Sequence, residues 1–291
     1  MRRRAFLTAS AAAVIPVLAP AAPVTRAPAA EVSERLTAIE ARLGGRVGLA
    51  AVDTGSGRRV AWRADQRFAM ASTFKFLLVA AVLRRVDAGA ERLDRVIHYG
   101  PAELLDYAPT TRAHLAEGGL SVAALCEAAV SLSDNTAANL LLATIGGPAG
   151  IGRFAATLGD NLTRLDRNEP GLNSALPGDP RDTTTPNAMT GDLRAVLLGR
   201  ALSPTGRDRL TAWMKASPTG AKRLRAGLPP GWTVADKTGS GPRGATNTIA
   251  VLWPPARAPI AVALYCMGST QPRAVIEAQH AEIAGLVARS L

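Results

Sequence analysis

Ile260-Ala261-Val262-Ala263-Leu264-Tyr265-Cys266-Met267 is a run of eight uncharged, largely apolar residues that reads as a β-strand. Two further strands precede it, Trp232–Asp236 and Thr248–Trp253. Near the other end of the chain, Arg46–Val52 and Arg59–Arg63 also read as strands, with Asp53-Thr54-Gly55-Ser56-Gly57 as the hairpin turn between them. The middle is helical, over 72–87, 121–131, 134–145, 149–158, 187–199 and 204–216. A helix over 33–43, with Ser33 as its N-cap, precedes the first strand, and Gln271–Arg289 closes the chain as another. Strands at both ends with helices between predict an α/β chain of the α+β type. The N- and C-terminal segments form an antiparallel sheet flanked by helices, an all-helical subdomain is inserted, and a site lies between the halves. Residues 30–66 and 217–291 make the sheet half, and 67–216 the helical half.

The chain has 291 residues, 47% hydrophobic and 20% charged, the profile of an ordinary globular protein with a sizeable core. The formal charge is +11, but the Arg residues are scattered and aromatics are only 4%. No basic run is interleaved with stacking residues, so nucleic-acid binding is not expected. Lysine occurs only at Lys75, Lys215, Lys222 and Lys237, so the general surface cation is Arg. An amine can lose its proton when desolvated and a guanidinium effectively cannot, which draws attention to each Lys.

The start of the chain reads as an export signal, residues 1–29. Arg2, Arg3 and Arg4 precede an Ala/Val/Leu-rich stretch, and Ala27-Pro28-Ala29 fits a small-x-small cleavage site. Arg3-Arg4-Ala5-Phe6-Leu7 resembles a twin-arginine signal, which implies export after folding. The other reading is a general secretory signal whose basic start carries Arg pairs. No membrane anchor is expected. Cys126 and Cys266 are the only cysteines, and two free, buried thiols are the economical reading.

The three histidines, His98, His114 and His280, sit in no zinc-binding spacing, so no metal and no other cofactor is expected. No Gly-x-Ser-x-Gly elbow is present, so a serine enzyme here would not use His as its base. Ser72-Thr73-Phe74-Lys75 opens the first long helix. Three residues is nearly one helical turn, so Ser72 and Lys75 share a face. A Ser hydroxyl becomes a nucleophile only when a neighbouring base takes its proton, and a neutral Lys could do so. Taken alone, the pattern is equally that of an N-cap Ser with a solvated Lys. Ser133-Asp134-Asn135 lies at a junction of two apolar helices, where Ser and Asp are also good caps. Lys237-Thr238-Gly239 ends a predicted strand and runs into Ser240-Gly241-Pro242.

Together, in this order and spacing, the three motifs resemble the penicillin-recognising serine enzymes, a superfamily of β-lactamases and peptidoglycan transpeptidases. One segment separates the two. Arg164-Leu165-Asp166-Arg167-Asn168-Glu169-Pro170-Gly171-Leu172-Asn173, ending in Arg181-Asp182-Thr183-Thr184, resembles the omega loop (163–182) of class A β-lactamases. Both enzyme types form an acyl-enzyme, but only a lactamase hydrolyses it fast, which needs a base and a poised water beside the ester.

The resemblance implies hydrolysis of penicillins and cephalosporins by a monomer without cofactor, acting in the periplasm or secreted. It implies Ser72 as nucleophile, with either Lys75 or Glu169 as the acylation base, and Glu169 as the deacylation base beside a water also held by Asn173. Ser133 would relay a proton to the departing nitrogen. Asn135 would bind the substrate's side-chain amide. Lys237, Thr238, Gly239 and Ser240 would line the substrate carboxylate, and the N–H groups of Ser72 and Ser240 would form the oxyanion hole. Tyr107 would wall the cleft, and Arg167 with Asp182 would close the loop neck as an ion pair.

Departures from the family pattern carry their own expectations. Many members have an Arg where Thr246 stands here, and Arg223 lies where other members supply a substitute guanidinium. Ala71 and Gly241 cannot form the disulfide of one carbapenem-hydrolysing subgroup. Cys126 matches a half-cystine of some members, but Val79 occupies its partner's place. Asn168 replaces a common Trp and would loosen the loop. A peptidoglycan carboxypeptidase or transpeptidase is the alternative enzyme, and an acylated, non-turning-over sensor the alternative outside catalysis. Glu169 in its loop argues against both.

Overall fold

The computed structural model describes residues 29–291, so all but the last residue of the predicted export segment lies outside the described residues. In chain order the elements are α1 (Ala29–Leu43), β1 (Arg46–Asp53), β2 (Arg59–Trp62), β3 (Phe68–Ala69), α2 (Phe74–Asp87), β4 (Val96–His98), α3 (Pro109–Ala113), β5 (Gly119–Ser121) and α4 (Val122–Ser131). They continue as α5 (Asn135–Thr144), α6 (Ala149–Thr157), β6 (Thr183–Thr184), α7 (Pro186–Leu193), α8 (Pro204–Lys215), β7 (Thr233–Ser240), β8 (Thr246–Trp253), β9 (Ile260–Met267) and α9 (Arg273–Ser290).

Five strands form one antiparallel sheet in the order β2-β1-β9-β8-β7. Every residue of the central strand β9 is buried. A strand covered on both faces needs no polar alternation, which explains its continuous apolar run. One face of the sheet meets α1 and α9, through Leu36, Ile39, Leu43, Ile276, Ile283 and Val287. The other face meets the helical half, whose core is α2. All ten residues from Phe74 to Leu83 are buried, and Lys75 is the one charge among them. A helix apolar nearly all round belongs inside a protein. Each such Phe or Leu contributes about 1.5–3 kcal/mol by leaving water, whereas an ammonium there demands partners.

Several predicted boundaries shift for physical reasons. Ser33 is not an N-cap: α1 starts at Ala29, and the Ser33 hydroxyl donates back to the Ala29 carbonyl from inside the helix. Ser72 does not open α2. It lies in a 3-10 turn, Ala71–Thr73, and the α-helix starts at Phe74. The helix predicted over 187–199 is α7 followed by a π-helical turn, Arg194–Leu198. Lys237-Thr238-Gly239 does not end its strand, because β7 pairs with β8 as far as Ser240 opposite Thr246. The two-stranded ribbons β3-β6 and β4-β5 are too short to show an alternating pattern.

Candidate active site

The cleft lies where the β7 edge of the sheet meets the helical half. Its volume is about 300 Å³, and Ser72, Ser133, Asn135, Asn173, Thr238 and Ser240 are among the residues lining it. Ser72 is nearly buried, and the residue before it, Ala71, has φ +44°. A left-handed non-glycine residue costs about 1–3 kcal/mol and persists only when its surroundings over-determine it. Here Met70 N–H donates to the Asp182 carbonyl (2.9 Å), and Thr73 Oγ1 donates to the Met70 carbonyl (2.9 Å). The buried Asn247 amide donates to the carbonyls of Ala69 (2.9 Å) and Met70 (3.0 Å). Strand β7 closes against this turn because residue 239 is glycine. A Cβ there would sit 2.7 Å from the Met70 carbonyl oxygen and 3.2 Å from the Ser72 nitrogen.

Lys75 is fully buried, and its ammonium has three close acceptors: the Ser133 carbonyl (2.8 Å), Asn135 Oδ1 (2.5 Å) and Glu169 Oε1 (3.0 Å). Three N–H bonds meet three acceptors, so the charge is hydrogen-bonded as burial requires. Burial still lowers its proton affinity, and the Glu169 carboxylate opposes that effect. Lys237 is also fully buried and donates to Ser133 Oγ (3.0 Å) and the Thr238 carbonyl (2.7 Å). Burial, reinforced by the positive charge of Lys75, holds its pKa well below the usual lysine range. Ser133, itself at φ +64°, therefore stands between two amines, with Lys75 Nζ 3.5 Å from its hydroxyl.

Glu169 comes from the loop 163–182. Its Oε1 accepts from Ser72 Oγ at 3.4 Å, and its Oε2 accepts from Asn173 Nδ2 at 2.5 Å. The Glu169-Pro170 peptide bond is cis. Asn139 on α5 grips the Glu169 backbone twice, accepting from its N–H and donating to its carbonyl, both at 2.9 Å. At the loop neck, Arg167 Nε meets the fully buried Asp182 at 2.6 Å. The N–H groups of Asp166 and Arg167 donate to the same carboxylate at 2.7 and 3.0 Å. Asp166 returns the favour by accepting from Asp182 N–H at 3.1 Å. Asn168, expected to loosen the loop, is exposed and takes no part in this grip.

At the other end of the cleft, Arg223 is 3% exposed. It donates to Ser240 Oγ (2.7 Å) and to the carbonyls of Gly239 (3.0 Å) and Asn247 (2.7 Å), and pairs with Glu277 at 3.1 Å. Thr246, the place of the usual Arg, is buried in register opposite Ser240. Thr238 Oγ1 lies 2.7 Å from Thr219 Oγ1. Tyr107 is 53% exposed at the rim, and its backbone carbonyl accepts from Asn135 N–H at 3.0 Å. Cys126 and Cys266 are buried and free, and Val79 is fully buried in the α2 core.

The fold thus gathers all the predicted site residues into one cleft and its supporting loop. Asn139, Asn247, Glu277 and Thr219 were not singled out from the sequence. Asn139 lies four residues after Asn135, but no spacing announces that its amide reads a backbone thirty residues away.

The sequence profile described as the beta-lactamase enzyme family matches residues 31–290. Beta-lactamase AST-1 of Nocardia asteroides is 52% identical over 237 residues, 81% of this chain and 76% of that one. Among solved structures, an ancestral (GNCA) class A beta-lactamase is 57% identical, with a TM-score of 0.87, covering 89% of this chain and all of that one.

Proposed function

The chain belongs to the beta-lactamase enzyme family and, as a class A serine enzyme, hydrolyses β-lactams and confers resistance to them; we propose that it does so through an ester on Ser72 that a Glu169-activated water removes. The observation that carries this assignment is the Glu169 carboxylate. One oxygen reaches both Ser72 Oγ (3.4 Å) and Lys75 Nζ (3.0 Å), and the other is held by Asn173.

In acylation, Ser72 Oγ gives its proton to Glu169 and bonds the lactam carbonyl carbon. The three N–H bonds of Lys75 are occupied, which favours Glu169 as the first acceptor and leaves Lys75 to hold that carboxylate in place. The developing oxyanion meets the N–H groups of Ser72 and Ser240, each such donor contributing about 3 kcal/mol. As the C–N bond breaks, the nitrogen needs a proton. Ser133 Oγ accepts from Lys237, so its own hydrogen is free to be donated, and the neighbouring amines replenish it. Lys75, having supplied Ser133, takes the Ser72 proton back from Glu169 at 3.0 Å, so Glu169 is again a carboxylate before deacylation. Water then attacks the ester carbonyl, gives a proton to Glu169, and Ser72 Oγ leaves with that proton. One water is consumed and the enzyme returns to its starting state.

Thr238 and Ser240 bind the substrate carboxylate, with Arg223 fixing Ser240 from behind and Lys237 adding its field. Asn135 and Tyr107 meet the amide side chain. Penicillins and cephalosporins share the carboxylate and the strained amide that this arrangement addresses. Class A β-lactamases are typically exported, and no helix among the described residues is long and apolar enough to cross a membrane. We place the mature chain in the periplasm or outside the cell on the strength of the basic, apolar start read in the sequence.

Glu169→Ala tests the central assignment. Lys75, freed from the carboxylate that holds its proton and buried, can then stand neutral and take the Ser72 proton in place of Glu169, so acylation slows but continues. Deacylation stops. Mass spectrometry after mixing with a chromogenic cephalosporin should find a stable adduct on Ser72. Multiple turnover by this variant, or no adduct at all, would remove Glu169 from the deacylation step.

A further inference from the structure

Arg273 is the first residue of α9, and its side chain is exposed on the wall of the cleft that also holds Arg223, Thr219 and Ser240. Among the described residues it has no hydrogen bond and no ion pair. The nearest carboxylate on α9, Glu277, is engaged by the Nε and Nη2 of Arg223. Arg243, in the turn between β7 and β8, is spent on the Ser174 carbonyl at 2.6 Å.

The placement of Arg273 also opposes the helix. The N-terminal turn of an 18-residue helix carries partial positive charge, where acidic groups stabilise and a cation is disfavoured. No acidic residue occupies that turn. One end of the cleft therefore presents two guanidiniums and a helix N-terminus, with a single carboxylate between them. A cation that stabilises nothing internally is set for something that arrives in the cleft.

We propose that Arg273 is a second anion-recognising group, selecting β-lactams that carry an additional negative charge on the substituent of the carboxylate-bearing ring. The proposal rests on the reading of Thr238 and Ser240 as the carboxylate end. A ring carboxylate held there directs the ring substituent along the same wall, toward the start of α9. A guanidinium on an exposed wall contributes through a screened, flexible ion pair, worth about a two- to fivefold change in KM. It acts on binding and leaves the acyl-transfer atoms alone, so the preference belongs in KM rather than kcat.

The test uses two cephalosporins that share one amide side chain. One bears a carboxylate on its 3-substituent and the other bears the methyl ester of that group. For the unsubstituted protein, KM is expected to be about two- to fivefold lower for the acid than for the ester at low ionic strength, with the gap narrowing as salt is added. Arg273→Ala should bring the ratio close to one, Arg273→Lys should keep part of it, and Arg273→Glu should invert it. An acid-over-ester ratio that survives Arg273→Ala, or that is absent from the unsubstituted protein, overturns the proposal. A change in kcat shared equally by both substrates overturns it too. Ser240→Ala should raise KM for both substrates. If it moves neither, the carboxylate end itself has been misread, which is a separate failure from that of Arg273.

Discussion

At the scale of single residues, the most informative departure from the family pattern is the exchange of a strand cation for Arg223. Thr246 is buried in register with Ser240, and Arg223 delivers its charge to the same place from the turn before Leu224. It does so through Ser240 Oγ and two strand carbonyls, so it both charges and shapes the end of β7. Arg223→Ala should raise KM for carboxylated substrates about tenfold, since a hydrogen bond to a charged group contributes about 1.5–3 kcal/mol. Steady-state kinetics on a penicillin would show it. An unchanged KM would mean that Arg223 serves only Glu277. The residue types of this site were legible because lysine is scarce and the motifs fall at family spacing. The supporting amides, Asn139 and Asn247, were not legible, because an Asn that binds backbone carries no periodicity and no charge.

At the scale of elements, the loop 163–182 is fastened at its neck and hangs from α5 through Asn139. A further fastening lies just upstream. Asp160 Oδ1 accepts from the N–H groups of Leu162 (2.7 Å) and Thr163 (3.0 Å), while its Oδ2 is buried without a partner. Asp192 on α7 is 1% exposed, and its Oδ2 is unpartnered as well. Burial, followed by the negative charge of Asp160, pushes the Asp192 carboxyl up to about 9. The folded chain therefore keeps a proton that the unfolded chain releases near pH 4. Between about pH 4 and 9 the folded state binds more protons, so stability falls as pH rises and levels off above 9. The slope is on the order of 1 kcal/mol per pH unit, or about 2–4 °C in Tm. Asp192→Asn keeps the shape without the titration. Its Tm should stay flat from pH 5 to 9 by calorimetry where the unsubstituted protein declines, and parallel profiles would refute the assignment. No sequence pattern foretells this pair. Asp160 and Asp192 lie on segments that only the folded loop and α7 bring together.

At the scale of the whole molecule, the layers of the fold and the place where the chain works are separate matters. The α+β layout was readable because buried strands and buried helices differ in length and in their punctuation. The π-turn after α7 and the ribbons β3-β6 and β4-β5 were not, since tertiary packing decides elements of that size. Neither cysteine needs an oxidising compartment, because both thiols are buried and free, and burial pushes the Cys266 thiol up to about 12. The fold itself therefore does not dictate the compartment. Hydrolysis of a chromogenic cephalosporin should be found in the periplasmic or culture fraction of producing cells. Replacing Arg3 and Arg4 together by Lys should hold it in the cytoplasm if the signal is of the twin-arginine kind. Activity that stays exported in that variant would favour the general secretory route.

The central strand β9 pairs Met267 with Arg46 and Ile260 with Asp53, joining the two ends of the chain through more than two hundred residues of sequence. Arg42 on α1 also holds Gln279 and Glu282 on α9. A polypeptide leaving the ribosome can thus make α2 and its helical neighbours early, but β1 waits without its inner partner until residues 260–267 have emerged. Long-range pairing of this kind is slow to form. The sheet, and with it the β7 wall of the cleft, is completed only once β9 is available, so a nascent chain that stops short of Ile260 lacks the strand that joins β1 to β8.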